Sequence, residues 1–81
     1  MIQKENKVKT YKLLWEKLRP IRRGKLDLTQ LEVAKKMGIS RTTYGKYEQG
    51  KAQPHPQNLV KLVEVFGSEV YRVDEIYIGE G

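Results

Sequence analysis

The chain concentrates its most chemically capable side chains in one short stretch, "RTTYGKYEQGK", Arg41 to Lys51. Set out at 100° per residue from Arg41, the segment puts Tyr44 and Tyr47 together on one side. The opposite side collects Thr42, Gly45, Lys46 and Gln49, with Arg41 at its N-terminal edge and Thr43 on a flank. Arg, Thr, Lys and Gln supply the donors and acceptors that read base edges in a major groove. Arg41, Thr42 and Lys46 are the expected direct-readout residues, and Gly45 at the centre of that face would allow close backbone approach. A glycine inside a helix costs about 1 kcal/mol relative to alanine, so its place here needs a reason.

Catalytic chemistry has little to work with. The single histidine, His55, lies between Pro54 and Pro56 with no carboxylate or nucleophile close in sequence. Paired carboxylates, a metal-ligand cluster and a phosphate-cradling glycine loop are all missing from the sequence pattern. The expectation is a protein that is not an enzyme and needs no cofactor.

Charge points to a polyanion. Sixteen Lys and Arg stand against ten Asp and Glu, a formal net charge of +6 over 81 residues, with no cysteine to form disulfides or thiolate metal sites. Nine basic and two acidic residues lie between Met1 and Lys25, and five basic and one acidic between Lys35 and Lys51. From Gly67 onward one Arg faces four acids. A basic body with an acidic tail suits nucleic acid. The longest apolar run, Leu13-Leu14-Trp15, is far too short to span a membrane, and the charged start has no apolar signal region. Cytoplasmic residence without membrane contact is the expectation.

The elements that must position the reading face come from local signals. Val8, Tyr11, Leu14, Trp15, Leu18 and Ile21 recur at spacings of three and four, which predicts a first helix ended or kinked near Arg19 by Pro20. Thr29 with Glu32 forms a capping box that opens a second helix with the buried stripe Val33, Ala34, Met37. Gly38 suits a left-handed C-cap, and Ser40 caps the third helix. Pro56 starts a fourth helix with the stripe Leu59, Leu62, Val63, Phe66, ended by Gly67. Within "SEVYRVDEIYIGEG", VDEIY reads as a short helical turn, the favoured reading, while Tyr71-Val73 and Ile76-Ile78 alternate like a strand. Trp15, Tyr44 and Tyr47 are assigned to the core. Thr29 and Gln30, at the N-terminus of helix two, can grip a phosphate.

Two short helices joined by a tight glycine turn in a basic domain form a helix-turn-helix pattern. The residues "LTQLEVAKKMGISRTTYGKYEQGK" resemble the Cro/repressor-type (XRE) helix-turn-helix family, the lambda-repressor-like domain. The match rests on Thr29-Gln30, Val33-Ala34, Met37-Gly38-Ile39-Ser40, Tyr44, Tyr47-Glu48 and Gly50-Lys51, and it runs from about Leu18 to Phe66. The resemblance implies an all-α, four- to five-helix domain over residues 8–67, with a flexible basic N-terminus over 1–7. Residues 68–81 would be a C-terminal extension, short helix or strand, with a possible dimer contact. It also implies base contacts from Arg41, Thr42, Thr43 and Lys46, and a second phosphate clamp from Gln49, Lys51 and Gln53. Glu48 would form a structural ion pair with Arg22 or Arg23.

The function so implied is a sequence-specific regulator of transcription on double-stranded DNA, read as a repressor acting as a homodimer. The alternative is a protein-interaction module, antitoxin-like, that uses the helix-turn-helix as scaffold. Exposed-looking Leu31 and the tail residues Val70, Tyr71, Ile76 and Ile78 would then meet a protein partner.

Overall fold

Among the described residues, the face expected to read bases sits on the third of four α-helices, and a two-stranded antiparallel ribbon joins the two ends of the helical body. A computed structural model describes the backbone from Lys7 to Tyr77. In chain order the elements are β1 (Lys7–Leu13), a 3-10 turn (Trp15–Lys17), α1 (Leu18–Pro20) and a π turn (Ile21–Leu26). Then come α2 (Gln30–Met37), α3 (Arg41–Glu48), α4 (Pro56–Phe66), a 3-10 turn (Ser68–Val70) and β2 (Tyr71–Tyr77).

The all-α expectation is corrected by the ribbon. β1 pairs with β2 in register from Lys7↔Tyr77 to Leu13↔Tyr71. The segment expected to begin helix one is therefore a strand, and only Leu18 and Ile21 of its supposed helical stripe are buried. Val8, Thr10 and Tyr11 are β-branched or aromatic and suit a pleated surface better than a helix. Their partner strand lies at the other end of the chain, beyond the reach of any local pattern. The favoured short helix at VDEIY is likewise a strand, as the alternation at Tyr71 and Val73 allowed. Ile78 and residues 1–6 lie outside the described residues.

The α-helical turn ends at Pro20, the residue expected to end or kink the helix. The proline stands one residue before the π turn, with helical φ and ψ of −60° and −39°. The segment around it is a succession of 3-10, α and π turns rather than one regular helix. Asp27, at φ 54°, ends it in the left-handed region.

The core is built from Leu13, Leu18, Ile21, Val33, Ala34, Met37, Tyr44, Tyr47, Leu62, Phe66 and Val70. Tyr44 stacks on Phe66 with ring centroids 6.3 Å apart. The Tyr47 hydroxyl accepts from Asn58 Nδ2 at 3.0 Å, which gives its polar end a partner. Val70, from the C-terminal extension, is fully buried, and the backbone N–H of Leu14 donates to its carbonyl at 2.7 Å. The root of the ribbon is thereby part of the core, while Val8, Tyr11, Val73 and Ile76 along it remain exposed.

The helix-turn-helix is set by capping. The Thr29 hydroxyl accepts from the Glu32 N–H at 3.1 Å, and the Glu32 carboxylate accepts from the Thr29 N–H at 2.8 Å. That hydrogen bond from the Thr29 backbone holds the Glu32 carboxyl below its ordinary value. Gly38 takes φ 70° at the end of α2, and the Ile39 N–H returns to the Ala34 carbonyl at 3.0 Å. The Ser40 hydroxyl then caps α3 by accepting from the Thr43 N–H at 3.0 Å.

Trp15 is not a core residue; it is 39% exposed, and its indole covers the turn that follows α3. A Cβ at Gly50 would lie 2.6 Å from the Trp15 ring, and Gly50 also sits at φ 70°. Gly38 shares that φ but has open space around its Cβ position. Gly38→Ala should therefore lose only the left-handed penalty of about 1–2 kcal/mol. Gly50→Ala should lose clearly more in chemical denaturation, because Trp15 must also move. Equal losses would show that the indole does not constrain this turn.

Candidate nucleic-acid interface

α3 divides as its side chains require. Tyr44 and Tyr47 are buried, while Arg41, Thr42, Lys46 and Gln49 are exposed. Lys51 and Gln53 are exposed in the following loop, and Thr29 is exposed at the start of α2. Thr43 is half-buried, and its hydroxyl oxygen accepts from Ser40 Oγ at 2.9 Å, so it serves the cap of its own helix. Lys35 and Lys36 lie exposed on α2.

The residue that organises this surface is Glu48. Its carboxylate accepts from Arg22 Nε, from Arg22 Nη2 at 3.2 Å, from the Tyr44 hydroxyl at 2.6 Å and from Gln30 Nε2 at 2.9 Å. Arg22 spends a further donor on the Leu28 carbonyl at 2.9 Å. Both side chains of the pair are shielded from solvent, at 9% and 4% exposure. Of the two arginines considered from the sequence, Arg22 is the partner, and Arg23 is exposed.

Burial by itself would raise the Glu48 carboxyl. Hydrogen bonds from Arg22, Tyr44 and Gln30 outweigh it and hold the group below its ordinary value. The hydrogen bond to Glu48 raises Arg22, against the opposing effect of burial. Burial, followed by the bond to the Glu48 carboxylate, pushes the Tyr44 hydroxyl well above the ordinary tyrosine range. All three groups therefore keep their ordinary charge states around neutral pH.

Gln30 links this buried pair to the exposed face. Its amide nitrogen donates to Glu48, and its amide oxygen accepts from Arg41 Nη1 at 2.6 Å. Arg41 and Glu48 lie seven residues apart on one side of α3, with Gly45 between them. The Gln30 side chain crosses at that point. A Cβ on Gly45 would meet Gln30 Oε1 at 3.8 Å, and Gly45 is buried. The sequence wheel put Gly45 at the centre of the exposed face; it lies instead at the seam between α3 and the start of α2. A glycine there gives the Gln30 amide room to span from Arg41 to Glu48. The sequence reading found Gln30, Arg41, Gly45 and Glu48 separately. The crossing that joins them depends on the angle between two helices, which spacing within one helix does not report.

The residues of this interface fall within a region that matches the Helix-turn-helix family model over residues 18–72. The chain belongs to the helix-turn-helix family, of the Cro/repressor (XRE) type. Its similarity to the HTH-type transcriptional activator BcrR of Enterococcus faecalis is 40% identity over 65 residues, covering 80% of this chain and 30% of the relative. The transcriptional repressor RstR of the cryptic phage CTXphi, from Vibrio cholerae, is 43% identical over 42 residues, covering 52% of this chain and 38% of that protein. The chain thus spans about a third of the length of these two relatives. An uncharacterized HTH-type transcriptional regulator of Methanocaldococcus jannaschii, MJ0272, is 33% identical over 76 residues, covering 94% of both chains. No solved structure matches the chain. Among the described residues, no helix is long and apolar enough to cross a membrane.

Two outcomes follow from the helix-turn-helix geometry. Glu48→Gln removes the charge that compensates buried Arg22 and should destabilise the fold by about 3–5 kcal/mol in urea unfolding. Because folding holds Glu48 below its ordinary value of 4.5, its contribution is present above that pH and lost as pH falls through the folded-state value. Wild-type stability should therefore fall on acidification below that range, and Glu48→Gln should show a flatter acid limb.

The second outcome concerns Gly45. Alanine meets only ordinary contact there, so Gly45→Ala should stabilise the helix by about 0.5–1 kcal/mol. Gly45→Leu should displace the Gln30 amide and lower the melting temperature. A leucine variant as stable as wild type would show that Gln30 does not need this space.

Proposed function

We propose that the helix-turn-helix chain is a sequence-specific, double-stranded-DNA-binding regulator of transcription that inserts α3 into the major groove. The observation that carries this reading is the division of α3, with Arg41, Thr42, Lys46 and Gln49 exposed opposite buried Tyr44 and Tyr47. Arg41 and Lys46 can pair with guanine edges, and Thr42 can hydrogen-bond or touch a thymine methyl. Thr43 reaches bases only at the edge of the contact, since its hydroxyl already serves the helix cap. Thr29 and Gln30 at the start of α2, with Gln49, Lys51 and Gln53 beyond α3, grip phosphates on either side of the groove. Gly45 contributes by letting Gln30 hold Arg41 in place.

The regulator acts in the cytoplasm as a homodimer on a two-fold-related operator, because one short helix reads too few base pairs for useful specificity. We read it as a repressor: a dimer seated on the groove excludes other proteins from the same duplex without any further activity.

Binding to duplex DNA should fall steeply as salt rises, linearly in log affinity against log salt. Arg41→Ala and Lys46→Ala should each cost about 1–3 kcal/mol and relax preference at particular base pairs. Lys51→Ala should weaken all sequences alike and reduce the salt slope by about one. Selection of bound duplexes from a random pool, repeated with each variant, measures both effects. The absence of duplex binding at low salt would overturn the reading.

A further inference from the structure

A groove of about 500 Å³ separates one face of the ribbon from α4. Tyr11 and Tyr71 form its ribbon wall, with rings 6.0 Å apart, and Leu59, Val60 and Val63 form the helix wall. Leu59 and Val63 also pack against the core, but Val60 is 56% exposed and Tyr11 57%. Val73, directly opposite Tyr11 in the register, extends the apolar surface along the same ribbon face and is 44% exposed. The chain's own packing leaves much of the Val60, Tyr11 and Val73 surface open to solvent. A contiguous apolar surface of this kind marks an interaction site.

Charge selects the occupant. From Leu14 to His55 the chain carries ten basic and four acidic residues, whereas the segments that build the ribbon and α4 (residues 7–13 and 56–77) together carry five basic and four acidic. Two copies at +6 each repel through most of their surface but little through the nearly balanced ribbon–α4 side. The groove also carries both signs where a self-complementary contact needs them. Glu64 lies on the helix wall, and Lys9 stands on the same ribbon face as Tyr11, across from Glu75. A two-fold contact uses the same patch on both partners, so Lys9 of one copy can meet Glu64 of the other.

We infer that the groove between the ribbon and α4 is the surface through which a second copy of this chain docks. The inference deepens the dimeric reading given above by naming its interface. The exposed residues of α3 do not line the groove, so a copy docked there leaves α3 uncovered.

The test is sedimentation equilibrium of the full chain without DNA, for wild type and three variants. Wild type should dimerise, and Val60→Asp should raise the dimer dissociation constant at least about tenfold, the loss expected of a central apolar contact. Glu64→Lys should weaken the dimer at low salt and recover part of that loss at high salt, as a new like-charge contact is screened. Leu31→Asp, at an apolar residue 48% exposed on α2, should leave dimerisation unchanged. Circular dichroism should show native helix content in all three, since each substituted residue is exposed.

A wild-type monomer at every concentration overturns the inference. So does a dimer untouched by Val60→Asp, or one broken by Leu31→Asp instead. An apolar dye that binds the groove of a strictly monomeric wild type, and is lost in Val60→Asp, would assign the groove to a small apolar ligand and overturn it too. The DNA reading fails separately: a dimer sensitive to Val60→Asp that binds no duplex at low salt would leave this interface standing and remove the regulator.

Discussion

A carboxylate taken out of water must be surrounded by donors, and Glu48 imposes that demand on three parts of the chain at once. Arg22 comes from the π turn after α1, Gln30 from the start of α2, and Tyr44 from α3 itself. If any one of them moved away, a desolvated charge would lose a partner, at a cost of several kcal/mol. The net stability supplied by such a buried pair is small, because desolvation offsets most of the attraction. Its effect is on geometry. The turn, α2 and α3 can meet in few arrangements that satisfy all these hydrogen bonds, and α3 is presented to solvent in the one that does.

The same demand accounts for Gly45. A short helix with no spare turns accepts a weak helix former because the Gln30 amide must pass over it to reach Glu48 on one side and Arg41 on the other. An exposed arginine is thus tied to a buried ion pair through one amide. Residues joined in this way do not contribute independently, and the effects of changing two of them do not add. The exposed face is better regarded as the outer end of a network than as a row of separate contacts.

What could be read from sequence was what depends on near neighbours. The Thr29–Glu32 box, the Gly38 turn, the Ser40 cap and Pro56 at the start of α4 each act within a few residues, and each occurs where local chemistry put it. The alternation of buried and exposed residues in α2 and α4 followed from helical spacing alone. The N-terminal segment shows the limit of that approach. Val8, Tyr11, Leu14 and Leu18 satisfy helical spacing, but Lys7–Leu13 is a strand because another strand waits for it. Trp15 was placed in the core on its size, although its role is to cover the backbone of Gly50, a contact between distant turns. In the site, the burial of Tyr44 and Tyr47 and the exposure of Arg41, Thr42, Lys46 and Gln49 were legible; the choice of Arg22 over Arg23 and the crossing of Gln30 over Gly45 required the fold.

The ribbon gives the chain an uneven kinetic character. The helices form on contacts close in sequence, but Thr10 and Asp74, paired in the sheet, stand 64 positions apart. Joining such distant segments carries a large loop-closure entropy unless the intervening chain is already compact. Once the helices have collapsed and Val70 is seated beneath Leu14, most of that entropy has been spent, and the strands can zip outward from the Leu13–Tyr71 pair. Among the described residues, each strand pairs in the sheet only with the other. Losing either strand therefore unpairs the other, and β1 and β2 are retained or lost as a single unit.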